Sequence, residues 1–376
     1  CSLLLIAMAG MNGAVLVRDI FSLYVFLEIT AVASYIMIAF DKNIFSFEGA
    51  FKYLVLSAVA TAMMITAIAL VILFSGSTEF YLINYAIRAS AHTSLIVLSL
   101  GLFLCGFFIK AGLIPFHSWL PDAYSSAPAP VSIFLAGIVT KTTGVYTLIR
   151  IFISIFGFNG QSQRILLLAG IISVVIGAIA AITQKDFKRM LAYSSISQVG
   201  YIILGLGCAS SLGIAGAILH IFNHSVFKSL LFVNSAAVET QTGKTNMDEI
   251  SGLGEKMPVT AVTSTLGALS CAGIPPLAGF WSKLLIILAL WVGGLHVYAV
   301  VAILSSVLTL AYLLSIQRKL FFIKGNSEEN SQIKEAGFGI SLASTLLAFI
   351  SLATGVFFPF IINSFIVPFG KIFGRF

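Results

Sequence analysis

The chain has 376 residues, of which 59% are apolar and only 9% charged, with a formal net charge of +7. A water-soluble domain carries about 25% charged residues, so this composition excludes a soluble globule, a disordered chain and a collagen-like chain. The basic balance does not point to nucleic acid, because Lys and Arg are scattered and no basic cluster interleaves with aromatics; basic residues in short cytoplasmic loops account for it.

Apolar stretches of spanning length recur along the whole chain. Eleven are predicted as transmembrane helices, at about 2–17, 20–40, 50–74, 93–113, 127–155, 164–183, 189–208, 211–238, 258–291, 295–317 and 337–367. All but the first approach or exceed the ~20 residues that cross a hydrocarbon core. Lipid offers no partners to open strand edges, so the expected class is all-α and polytopic. The chain opens on Cys1 rather than Met, directly into an apolar run, and reads as a truncated start. The cysteines Cys1, Cys105, Cys208 and Cys271 lie far apart in apolar stretches and read as small packing residues.

Alternate loops differ in basic content. One side holds Lys42, Lys185, Lys188, Arg189, Lys244, Lys256, Arg318, Lys319, Lys324 and Lys334; the other holds Arg18, Arg88, Arg150, Arg164, Lys371 and Arg375. The richer side is expected to be cytoplasmic. Lys52, Lys110, Lys141, Lys228 and Lys283 remain, inside or at the ends of apolar segments. A lone Lys at the bilayer centre costs about 2.5–3.5 kcal/mol, so these lysines need partners or a role.

Glu28 sits mid-segment among apolar residues, and Lys110 is its expected partner. Such a pair either locks two helices or acts as a switch, the buried lysine releasing its proton when the carboxylate moves away. Lys141 lies mid-helix among threonines. His220, His224 and Lys228 recur at i, i+4 and i+8, which places them within about 80° on one helix face. A proton relay, hydrogen-bonded core histidines and a metal site are the readings open to them, and the metal site lacks further ligands. His117 lies seven residues after Lys110, two turns away if the helix continues. In chain order Glu28, Lys52, Lys110, His117, Lys141, His220, His224, Lys228 and Lys283 could form one polar line near the midplane, although Lys52 could instead snorkel to a headgroup.

Two segments are broken by proline: Lys110-Ala-Gly-Leu-Ile-Pro115-Phe-His117-Ser-Trp-Leu-Pro121-Asp122, and Ala272-Gly-Ile-Pro275-Pro276-Leu-Ala-Gly279-Phe-Trp-Ser-Lys283. In lipid such a break persists only where freed backbone groups face protein or a wet cavity. Ala111-Gly112 with Pro115 aligns with Ala272-Gly273 and Pro276, and Phe51-Lys52 aligns with Phe227-Lys228. These matches suggest two five-helix repeats, the second inverted because each has an odd number of crossings. The expected organisation is a first repeat over 1–155, a second over 156–320, and a loop with a last helix over 321–376. No phosphate-cradling glycine loop and no iron–sulfur or metalloprotease pattern occurs, so no cofactor or metal is expected and enzymatic activity of the chain's own is left open.

The segment from Lys110 to Tyr124, followed by Ala127-Pro-Ala-Pro-Val-Ser132, resembles the signature of the antiporter-like membrane subunits of respiratory complex I. The same family includes Mrp-type sodium/proton antiporters and membrane-bound energy-converting hydrogenases. Asp186 to Gly200 and Gly273 to Lys283 are similar to it as well. The resemblance implies fourteen helices with two inverted five-helix repeats, of which this chain would carry the fourth to fourteenth. It implies that Glu28, Lys110, Lys141, the group His220, His224 and Lys228, and Lys283 match the family's relay on its fifth, seventh, eighth, eleventh and twelfth helices. His117 and Lys52 match basic positions of some branches only, and the motifs lean towards the hydrogenase or Mrp branches. The implied role is proton translocation or sodium/proton antiport in a multi-subunit complex of a prokaryotic cytoplasmic membrane. The implied partners are a second antiporter-like subunit, small membrane subunits and a peripheral redox arm, with no nucleic acid. A stand-alone solute carrier and a passive scaffold for a redox arm are the alternatives.

Overall fold

A computed structural model describes residues 1–89, 93–323 and 332–366. Lys324, Lys371 and Arg375 of the loop comparison, and the end of the last predicted segment, lie outside the described residues. The described chain is helical, with two isolated β-bridges. Among the described residues nine helices are long and apolar enough to cross a membrane. Three shorter apolar helices, Ser2–Leu16, Pro258–Ala272 and Ala278–Val292, accompany them. The chain is a multi-pass membrane protein. The predicted segment 258–291 is two helices separated by a break, and Phe80–Ala89 is a short helix the apolar pattern did not reveal.

The contacts divide the chain into two compact units. The first comprises Cys1–Val131 with Ile138–Ser162, and the second Ser132–Gly137 with Gln163–Phe376. In the first unit α1 (Ser2–Leu16) packs on α2 (Ile20–Ile38), and α3 (Ile44–Ser75) packs on α5 (Thr93–Ala111) and α6 (Trp119–Ser126). The amphipathic α4 (Phe80–Ala89) is tied down where Asn84 donates to the Ile155 carbonyl at 2.6 Å. The helix from α7 (Ala129–Phe134) through α8 (Thr147–Ile151) to Phe156 is interrupted by wide i→i+5 turns at 135–139, 141–146 and 152–156. The second unit holds α9 (Gly160–Ile182) from Gln163 onward, α10 (Phe187–Gly207), α11 (Ser211–Thr242), α12 (Pro258–Ala272), α13 (Ala278–Val292), α14 (His296–Gln317), α15 (Phe338–Val356) and the short α16 (Phe358–Ile361).

The helix starts follow local chemistry. Asp19 and Asp186 accept from the amides of Ser22 and Arg189, each at 2.7 Å, and Asn43 with Ser46 forms a reciprocal capping box. α10 is buried almost all round, and α11 packs on α10, α12, α13 and α15. Large apolar side chains such as Leu73, Val262 and Leu304 point outward. Apolar side chains therefore fill the interior and also cover much of the outer surface, a surface that lipid tolerates and water does not. In the loop after α11, Asp248 pairs with Lys319 and with Lys185. Those hydrogen bonds, Lys319 first, hold its carboxyl below the usual range.

The same local architecture occurs once in each unit. Ile20 donates to the Thr78 carbonyl and Phe80 to that of Arg18; Phe187 donates to Thr245 and Met247 to Lys185. Each of these four positions recurs 167 residues later, as do the ends of the 32-residue helices α3 and α11 and their left-handed caps Gly76 and Gly243. In this register Lys52 falls opposite Leu219 and Lys228 opposite Thr61. The Phe-Lys match seen in the sequence is therefore not a structural correspondence, because a shift of nine residues is two and a half helical turns. The proline breaks do correspond. Gly112 and Gly273 both have positive φ, of 68° and 86°, and the peptide bonds before Pro115 and Pro276 are both cis. In both, the second residue past the helix, Leu113 or Ile274, donates back to a carbonyl five residues earlier at 2.9 or 3.0 Å.

Gly144 shows how close the helices of the first unit come. A Cβ there would sit 2.6 Å from the Ala111 Cα and 2.7 Å from its backbone nitrogen, atoms that cannot rotate away. Gly144→Val is therefore expected to push α5 away beside Lys110 and destabilise the protein by roughly 1–3 kcal/mol. The check is a lowered unfolding temperature of the detergent-solubilised protein with ion transport reduced in the same variant.

Candidate functional site

The first unit presents two charged groupings. α5 ends at the break, so Lys110 lies in its last helical turn, where the carbonyl-rich end of the helix favours a cation. Lys110 is buried and its Nζ lies 3.0 Å from Glu28 Oε1. Trp119 donates from Nε1 to the Ile109 carbonyl at 2.9 Å, which satisfies a helix-end acceptor freed by the break. Lys52 is more exposed. Its Nζ lies 2.5 Å from Glu48 and 2.6 Å from Asp122. Neither carboxylate was singled out in the sequence, although Glu48 stands one helical turn before Lys52.

His117 is half-buried in the non-helical turn after Gly112. The helix does not continue from Lys110 to His117, so the two-turn stacking of these residues does not arise; the positive φ of Gly112 turns the chain away. Lys141 is buried at the start of one of the wide turns. Its Nζ lies 3.5 Å from Thr140 Oγ1, which meets Tyr124 Oη at 2.9 Å. Wide turns of this kind concentrate at functional positions because they re-aim side chains and free a carbonyl.

The second unit holds the remaining residues, His220, His224 and Lys228 on α11 and Lys283 on α13. α11 runs unbroken, so His220, His224 and Lys228 share a face as their spacing predicts, and all three are buried. The two imidazole rings are nearly parallel, with centroids 6.1 Å apart. Lys228 Nζ donates to the Leu191 carbonyl at 3.0 Å and to the Ser194 hydroxyl. His220 Nδ1 lies 2.8 Å from Ser282 Oγ, which also accepts from Asn223 Nδ2 at 3.0 Å. Ser282 is the neighbour of Lys283. Lys283 Nζ donates to the carbonyls of Cys271 and Ala272, at 2.8 and 3.3 Å, and to Ser306 Oγ at 3.3 Å. It also lies 4.7 Å above the Tyr201 ring. These carbonyls end α12 at the break, so an electronegative helix terminus holds the ammonium.

Lys283 borders a cavity of about 200 Å³ whose wall includes Gly273, Ile274, Ser306 and Leu310. Sequence reasoning did not single out Ser194, Tyr201, Ser282 or Ser306, because an isolated Ser or Tyr in an apolar helix carries no signal of its own. Among the described residues no group of three or more His, Cys, Asp or Glu is placed to hold a metal ion.

Residues 17–309 match the family described as NADH:quinone oxidoreductase/Mrp antiporter, transmembrane. The chain belongs to this family. It is 35% identical over 314 residues to an NADH-quinone oxidoreductase subunit of Desulforudis audaxviator, covering 83% of this chain and 62% of that protein. To an Na(+)/H(+) antiporter subunit of Alkalihalophilus pseudofirmus it is 34% identical over 310 residues, 82% of this chain and 63% of that one. The chain thus spans less than two thirds of the length of these curated relatives. In three dimensions it matches a chain of the membrane-bound sulfane sulfur reductase, an archaeal respiratory membrane complex. The TM-score is 0.89 and the identity 29%, over 98% of this chain and 74% of that one. The proline breaks and the α10 segment from Asp186 to Gly200 both lie inside the family match.

Proposed function

We propose that this chain is the ion-translocating part of a multi-subunit membrane complex in a prokaryotic cytoplasmic membrane, moving protons, alone or in exchange for sodium. The observation that carries this reading is the burial of Lys110, Lys141, Lys228 and Lys283 inside apolar helices, each within reach of polar groups on a neighbouring turn or helix. A lysine costs about 2.5–3.5 kcal/mol at the bilayer centre, and four of them in one chain need a return in function. Lysine and histidine accept and release a proton without a cofactor, and hydroxyls and carbonyls between them orient the water that carries it.

In this reading Glu28 and Lys110 form the switch of the first unit, with Lys141 as its inner station. His220, His224 and Lys228 with Lys283 form the relay of the second, and Lys52 and His117 modulate access. The paired registers of 167 and 161 residues support descent of the two units from one repeated element. The relatives named as parts of a quinone oxidoreductase and of an antiporter support partners of two kinds: further membrane subunits, among them a second antiporter-like one, and in redox-driven complexes a peripheral arm. The test is Lys228→Met in the complex reconstituted into sealed vesicles. The initial rate of ion flux is expected to fall at least about tenfold, which is 1.4 kcal/mol of barrier, with assembly unchanged. Undiminished flux refutes the reading.

A further inference from the structure

From the residues alone, Lys188 reads as a loop residue and the eighth segment as ending at residue 238. The structure puts Lys188 in the first turn of α10 and extends α11 to Thr242, which brings Glu239 inside the helix. Lys188 Nζ and Glu239 Oε2 lie 2.7 Å apart. The lysine side chain is 5% exposed and the carboxylate 34%. The Lys110–Glu28 pair has the same asymmetry, 4% and 26%. In the pairs Lys52–Glu48, Lys52–Asp122, Lys185–Asp248 and Lys319–Asp248, by contrast, the lysine side chain is at least 39% exposed. The two pairs are therefore alike in kind: a buried ammonium held by a carboxylate that keeps one side towards the surface.

A line of buried polar groups leads inward from this pair. Lys188 is one helical turn from Leu191, whose carbonyl accepts from Lys228. α14 runs antiparallel to α10 here. Tyr201 Oη donates to the Ala302 carbonyl at 2.6 Å, and Tyr312 lies towards Ser194, the other partner of Lys228. Asp248 pairs with both Lys185 and Lys319, which holds the end of α14 at the depth of the start of α10, and Gln317 lies at that end of α14. Gln317 is 1% exposed, and neither its carboxamide oxygen nor its nitrogen has a hydrogen-bond partner among the described residues; the Tyr312 hydroxyl lacks good geometry to any. Polar atoms at such depth are paired with ordered water in native interiors, and leaving them bare costs about 1–3 kcal/mol each.

We infer that Lys188 and Glu239 are a second gate, which admits water and a proton along Gln317 and Tyr312 to Lys228 from the side bearing Asp248 and Lys319. While paired, the two groups close the mouth of the line. When Glu239 swings to the surface, Lys188 is freed, and water between Gln317 and Tyr312 takes a proton from the surface side as it passes one to Lys228 in its neutral form, which becomes the ammonium. This deepens the ion-translocation reading and rests on it. Lys188 and Glu239 are positioning residues; Lys228 takes the proton.

The gate predicts accessibility as well as activity. In the assembled complex, with Cys1, Cys105, Cys208 and Cys271 replaced by alanine, Gln317→Cys is labelled by a small cationic methanethiosulfonate added from the Asp248 side. Adding Glu239→Gln is expected to raise the initial labelling rate at least about fivefold, and the swap Lys188→Glu with Glu239→Lys is expected to return it close to the starting rate. In a chain with its native cysteines, Gln317→Leu, which changes no charge, is expected to cut ion flux at least about threefold by drying the line. A labelling rate indifferent to Glu239→Gln, or full flux in Gln317→Leu, overturns the gate. Neither result touches the translocation reading, which stands or falls with Lys228→Met; a pair that merely fastens α10 to α11 would lower stability in Glu239→Gln without opening Gln317→Cys to the reagent.

Discussion

Lys283→Arg is expected to abolish at least about nine tenths of ion transport while leaving assembly and stability near normal. Arginine keeps the positive charge and can still donate to the Cys271 and Ala272 carbonyls that end α12. Its guanidinium, however, does not release a proton at any pH a protein survives. If Lys283 only fastens the broken helix, arginine rescues it. If Lys283 is a station that must lose its proton, arginine blocks the line as firmly as methionine does. Lys283→Met removes the donor as well. The Ala272 carbonyl keeps its bond from Ser306 at 2.7 Å, so the expected further cost is about one hydrogen bond to a charged group, roughly 1.5–3 kcal/mol. The measurement is ion flux in reconstituted vesicles beside the unfolding temperature of the same preparations. Transport preserved in Lys283→Arg would show that proton release at this site is not required.

The Glu28–Lys110 pair carries the second large effect, and its two halves are not equivalent. Glu28→Gln leaves an ammonium buried without its counter-charge, whereas Lys110→Met leaves a carboxylate that is 26% exposed and can turn towards water. Breaking a fully buried pair costs about 3–5 kcal/mol. The greater part of that range is expected for Glu28→Gln, and the lower end or less for Lys110→Met. The double variant Glu28→Gln with Lys110→Met is expected to be more stable than Glu28→Gln alone, since no unpaired charge remains. A double-mutant cycle on thermal or denaturant unfolding checks this, and purely additive losses would show that the two charges do not depend on one another. All three variants are expected to transport poorly, because the switch needs both members.

The backbone of the two units corresponds closely at the helix starts and at the breaks, but the charges do not. In the register of 161 residues, Lys110 falls opposite Cys271 and Asp122 opposite Lys283. The first unit therefore places its buried lysine before the break and a carboxylate after it; the second places its lysine after the break. An ammonium is stabilised in either position, since both lie at the carbonyl end of the helix that precedes the break. Gly112 and Gly273 supply the left-handed turn that makes both ends possible.

Much of this was legible in the residues. Apolar runs broken by Pro115 and Pro276 required spanning helices with polar interruptions, and the i, i+4, i+8 spacing of His220, His224 and Lys228 required one shared face. Glu28 called for a buried lysine, since a charge among apolar residues seeks the opposite charge; Lys110 was one choice among several, and the structure pairs the two at 3.0 Å. Other features were not legible. Lys188 and Glu239 sit where a helix meets its loop, and at such a boundary sequence alone does not distinguish a buried charge from a solvated one. Ser282 and Ser194 became meaningful only when α11 was laid against α13 and α10.

By itself the sequence determined that the chain lives in a membrane, where its helices break and which charged side chains lipid cannot accept, because hydropathy and proline chemistry are local. Only the tertiary structure decided which polar group each of those charges meets, since a hydrogen bond between helices depends on their rotation and depth, and an apolar sequence tolerates many rotations until the buried charges select one.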